Sequence, residues 1–130
     1  MLYMLLCFNS EEVVGAWTPE EDAAVMDRLD AVHRRLAEAG KLGPAARLAP
    51  TSTARTLWKG SPMVTDGPYA ETKEQLLGFY LVDCADMDEA AAVARELEQA
   101  NPGLGAYEIR PLRLFLPGAW SPEAELETVG

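Results

Sequence analysis

The side chains best suited to proton chemistry in this chain are its one histidine, His33, and the turn Asp66-Gly67-Pro68-Tyr69. Histidine has an ordinary pKa of about 6.5, so it gains or loses a proton near neutrality. A carboxylate and a phenol held at a pocket mouth can orient a polar substrate or exchange a proton with it. Asp66, His33 and Tyr69 are therefore the candidate catalytic groups. Each also has a purely structural explanation. His33 lies one turn from Leu29 and Leu36, flanking an apolar stripe, where a boundary histidine pairs with Asp30 or with solvent. Asp66-Gly67-Pro68 is a good turn in its own right: Asp accepts backbone N–H bonds, Gly permits unusual φ and Pro fixes φ.

Five further residues are candidates for binding. In Glu71-Thr72-Lys73-Glu74, Glu71 and Lys73 offer both charges just before an apolar run, for a pocket or dimer contact or simply as a solvated connection. Arg110 shares its parity with Glu108 and Leu112 and, on a covered face, needs a carboxylate. Asp66 or Glu71 would make a structural pair with it, and a substrate carboxylate a functional one. Arg55 and Trp58 are placed to clamp or stack on a ligand, with a strand residue and a core aromatic as the alternatives. Gly-rich phosphate loop, Gly-x-Ser-x-Gly elbow and dinucleotide fingerprint are all missing from the sequence, so no cofactor is expected. With one histidine there is no zinc-type cluster and no transition-metal site is expected, although a carboxylate site for magnesium is compatible with the composition.

The elements that must position these groups follow from patterning. At 130 residues and 48% apolar, the chain has material for one core and not two. Residues 2–8 are apolar at every position, which describes a strand covered on both faces. The run lacks a basic leader and is shorter than the roughly 20 residues of a membrane span, so a first strand is expected and not a signal segment. Thr18-Pro19-Glu20-Glu21 has the chemistry of a helix start. Val25, Met26, Leu29, Val32 and Leu36 then recur at three- and four-residue steps until Gly40 ends the helix near Ala39. Short β-like runs follow at Ala46–Leu48, Thr53–Trp58 and Met63–Thr65, then a second doubly apolar strand at Leu76–Cys84. Asp86-Met87-Asp88-Glu89 opens a second helix that reaches about Gln99, and Tyr107–Leu116 is the final strand, with Pro111 expected on an edge or at a bulge. From Pro117 a Pro-, Gly- and acid-rich tail is expected to be loosely held, with Trp120 as its one docking anchor.

This order reads as an α+β, ferredoxin-like βαββαβ antiparallel sheet with an extra hairpin, in a domain spanning 1–116 and a tail spanning 117–130. The two doubly apolar runs fall where that plan puts its central strands. Two helices cover only one face of such a sheet, so a second copy is expected to cover the other, giving a homodimer. A net charge of -10 repels phosphate backbones and anionic headgroups, so neither nucleic acid nor membrane is an expected partner. Cys7 and Cys84 both lie in apolar runs and are expected to be free thiols in a cytoplasmic protein.

The run from Asp66 to Leu81, DGPYAETKEQLLGFYL, resembles the signature of the YCII-related family in the branch named for its Asp-Gly-Pro-Phe motif, with Tyr69 where Phe is usual. The resemblance extends to Met1–Phe8, Ala39-Gly40, the acidic start of the second helix and Glu108-Ile109-Arg110-Pro111. It implies a dimeric ferredoxin-like α+β barrel. For the wider family a His–Asp pair has been proposed, but His33 lies later in its helix than that histidine, and Asp66 belongs to a differently placed motif. Two functions follow as expectations. The first is a dimeric small-molecule-binding domain with cofactor-free acid–base activity. The second is a non-catalytic regulatory or interaction module, suggested by relatives encoded beside extracytoplasmic-function sigma factors.

Overall fold

The structure is a computed structural model and describes residues 1–119; Trp120 and the rest of the tail lie outside the described residues. Strand β1 (Leu2–Asn9) is followed by a short helix α1 (Glu11–Gly15) and a long helix α2 (Pro19–Glu38). Then come β2 (Leu42–Arg47), the hairpin β3 (Arg55–Leu57) and β4 (Val64–Asp66), β5 (Gln75–Asp83), α3 (Met87–Ala100) and β6 (Ala106–Pro111). The main sheet has the order β2-β5-β1-β6 and every pairing in it is antiparallel; β3 and β4 form a separate two-stranded sheet. This is the ferredoxin-like arrangement with an inserted hairpin, and the two doubly apolar runs are its central strands β1 and β5.

Local chemistry sets the helix ends. Thr18 Oγ1 accepts from Glu21 N at 3.1 Å, Pro19 occupies the first turn and Gly40 takes φ +71 just past the end of α2. Asp86 Oδ1 accepts from Glu89 N at 2.9 Å to start α3. Helix α1 was not expected: Ser10 caps it, its side chain accepting from Val13 N at 3.4 Å, with Glu11 and Glu12 in the first turn. The last strand is shorter than patterning predicts. Leu112 N donates to Leu2 O, and there β1 runs out of residues to pair with. Pro111 sits at the end of the edge strand β6, where its missing N–H costs no ladder bond to a further strand.

Helices α2 and α3 pack together on one face of the sheet. Val25, Leu29, Val32 and Leu36 meet Val93, Leu97 and Ala100 over Tyr3, Leu5 and Val82 in one core cluster. Leu5, Val82 and Leu97 are fully buried, and each removal from water contributes roughly 1.5–3 kcal/mol. The helices run antiparallel, tied by Arg28 Nε to Ala100 O at 2.8 Å, Arg35 to Glu96 at 3.0 Å and, just past the end of α2, Lys41 to Glu89 at 3.6 Å. Among the described residues no helix is long and apolar enough to cross a membrane.

Candidate functional site

At one end of the sheet the layer between strands and helices is left unfilled. Small residues line it: Ala45 on β2, Gly78 on β5, Ala91 and Ala94 on α3. The result is a cavity of about 540 Å³ bounded by α2, α3 and the sheet. That lies within the roughly 300–1,000 Å³ of sites that hold small molecules.

Besides the charged residues, four titratable side chains line this space: His33 from α2, Tyr80 from β5, Tyr107 from β6 and Cys7 from β1. Strand register explains why the last three share it. Leu5 lies opposite both Tyr80 and Ile109, and Cys7 opposite both Gly78 and Tyr107, so all of them stand on the helix-covered face with buried Leu5. Pairing between β1 and β5 shifts by a residue at Cys7/Phe8, which interrupts the ladder before it resumes at Phe8 and Asn9.

His33 Nε2 lies 2.9 Å from Tyr80 Oη, the rings 5.3 Å apart and tilted by 57°. One tautomer accepts the phenol proton and the other donates to the phenol oxygen; in both a proton lies between the two rings. Burial lowers the His33 pKa below its ordinary value, partly opposed by the charge of Asp30. Burial also pushes Tyr80 up to about 12 and the Cys7 thiol up to about 12, and it raises Tyr107. At neutral pH all four groups are therefore uncharged. A neutral imidazole beside a neutral phenol can take a proton from a bound molecule and return one to it. Charge appears only toward the rim, as Arg47 with Asp22 at 3.8 Å and Arg95 with Glu98 at 3.6 Å.

The other residues singled out from the sequence lie elsewhere. Asp66 stands opposite Arg55 across the hairpin, 3.6 Å from its Nε, and its side chain is 96% exposed. Trp58 donates to Thr65 Oγ1 at 3.0 Å and lies against Tyr69, with ring centroids 5.5 Å apart. Thus Arg55, Trp58, Asp66 and Tyr69 gather on the hairpin, and none of them lines the cavity with His33. Of the carboxylates weighed as structural partners for Arg110, neither Asp66 nor Glu71 pairs with it; Arg110 lies 3.9 Å from Glu108, since residues two apart on a strand share a face. Glu71 and Lys73 are exposed in the connection before β5 and are not among the cavity's lining. Glu11 holds the turn that leads into the hairpin, its carboxylate accepting from Thr51 N at 2.9 Å and Thr51 Oγ1 at 2.8 Å. Among the described residues no three His, Cys, Asp or Glu side chains converge as a metal site would require.

The YCII-related domain model matches residues 1–116. This chain belongs to the YCII-related family. It is also 60% identical over 120 residues to an uncharacterized protein of Rhizobium meliloti (strain 1021), covering 91% of this chain and 97% of that protein. Within this YCII-related domain, patterning singles out His33 but not Tyr80, Tyr107 and Cys7, which line the cavity with it. Tyr80 reads as one more apolar residue of a central strand. Its hydroxyl is the available signal, since a phenol drawn into a covered face needs a hydrogen-bond partner and the chain has one histidine.

Proposed function

We propose that this YCII-related domain binds a small molecule in the cavity between its helices and sheet, and that His33 and Tyr80 exchange a proton with that molecule without a cofactor. The observation that carries this reading is the 2.9 Å contact of His33 Nε2 with Tyr80 Oη in the wall of a cavity of about 540 Å³. On this reading Tyr80, not Tyr69, is the phenol that works with His33. Asp66 and Tyr69 lie on or beside the hairpin, with Arg55 and Trp58 as their contacts there.

The domain acts as a homodimer on this reading. On the sheet face away from the helices Met4, Leu6 and Phe79 remain only half-buried, and a second copy would remove them from water. Free Cys7 and Cys84 fit a cytoplasmic setting.

A fragment screen by ligand-observed NMR tests the cavity, read out at the His33 ring protons. Fragments that bind and shift the His33 signals, and that lose binding in Ala91→Trp, support the reading. Binding that leaves His33 unmoved would overturn it. The second reading, an interaction module, is favoured by the hairpin, where Leu57 is 67% and Tyr69 77% exposed. It predicts that substitutions at Leu57 abolish function while cavity-filling ones do not.

A further inference from the structure

The distribution of charge around the cavity narrows what it can hold. Four charged residues line it, Arg47, Arg95, Asp22 and Glu98, so its lining is balanced in a chain whose net charge is -10. Each arginine is already paired, Arg47 with Asp22 at 3.8 Å and Arg95 with Glu98 at 3.6 Å, and all four side chains are substantially exposed. Water therefore reaches these ions, and neither arginine is reserved for a ligand.

The uncharged polar side chains of the lining, apart from the Trp17 indole, are His33, Tyr80, Tyr107, Cys7, Asn9 and Asn101. None of them takes part in an ion pair among the described residues. No buried charged residue is found among the described residues either, and no buried side-chain polar atom there lacks a partner. A carboxylate, phosphate or ammonium carried inward would lose its water and meet no counter-charge, a cost of several kcal/mol per ion. A hydroxyl or carbonyl would lose much less and could be satisfied by the imidazole and phenol groups. The remaining wall is largely apolar, including Trp17, Val25, Leu29 and Ile109.

We infer that the cavity selects an uncharged, largely apolar molecule that presents a hydroxyl or carbonyl oxygen to the His33–Tyr80 pair and excludes charged relatives of the same shape. This rests on the binding site proposed above and adds the chemical class of its ligand. Discrimination comes from leaving a charge unpaired, which hydrophobic contact alone could not supply.

Two dyes with the same ring framework test this with the full chain: uncharged N-phenyl-1-naphthylamine and the sulfonate 8-anilinonaphthalene-1-sulfonate, titrated by fluorescence at pH 7.5. The uncharged dye is expected to bind at least about tenfold more tightly, since an unpaired charge costs more than 1.4 kcal/mol. Ala91→Trp should abolish its signal, and Ala45→Trp, which fills the cavity from β2, should do the same if the first variant does not fold. Equal affinities, or tighter binding of the sulfonate, with both signals lost in the filled variants, would overturn the charge selection and leave the binding site standing. Silence from both dyes, or signals indifferent to filling, would overturn the site and the selection together.

Discussion

His33 Nε2 and Tyr80 Oη meet at 2.9 Å across 47 positions of sequence, joining α2 to the central strand β5. The contact exists because α2 presents His33 beside its buried stripe while strand alternation turns Tyr80 to the helix-covered face. Neither residue is ionised at neutral pH, and both line the cavity between the helices and the sheet.

The first prediction concerns pH. Burial lowers the folded-state pKa of His33 below its ordinary 6.5, so as pH falls the unfolded chain binds the proton first. This contribution to stability is fully present above pH 6.5 and is lost as pH falls through 6.5 toward the folded value. Proton NMR of the single histidine should give a pKa below 6.5, and urea midpoints should fall over the same window. A pKa above 6.5 would contradict the partly desolvated, neutral imidazole.

Removing the phenol hydroxyl with Tyr80→Phe should destabilise the fold by about 0.5–1.5 kcal/mol, the net value of one hydrogen bond. Urea denaturation measures this. On the proposed function the variant should retain cavity binding of the uncharged dye while losing proton exchange with bound ligand.

In the hairpin, backbone matters more than charge. Gly67 has φ +98, donates to Ala54 O at 2.8 Å and accepts from Thr56 Oγ1 at 2.9 Å. Gly67→Ala finds open space for its Cβ but an unfavourable φ, so a loss of about 1–2 kcal/mol is expected in urea denaturation. Asp66→Asn touches only an exposed pair with Arg55 and should leave both the urea midpoint and the His33 pKa unchanged. An Asp66-dependent His33 pKa would revive the acid–base pairing of those two residues.

The open sheet face gives a prediction about assembly. Light scattering should find a dimer for the wild type, and Phe79→Glu, which places a charge beside Leu6 in the middle of that face, should yield a folded monomer. A wild-type monomer at micromolar concentration would leave the apolar outer face without its cover and overturn the homodimer.

Much of this fold was legible in the sequence because its signals are local. Thr18-Pro19 and Asp86 cap their helices through atoms three residues away, and two runs apolar on both parities name the strands with a neighbour on either side. The Asp66–Leu81 run likewise carried the family, since it is contiguous. The site was not legible in the same way. Asp66, Tyr69 and His33 look alike as chemistry, yet the hairpin takes the first two into or beside a separate sheet while His33 turns inward. Cys7, Tyr80 and Tyr107 become neighbours only through the register of three strands. The cavity exists because small residues from three elements converge on one end of the layer. Capping and periodicity are set by bonds within a turn or a pleat, whereas a void depends on side chains brought together from distant parts of the chain, and only the tertiary structure decides which those are.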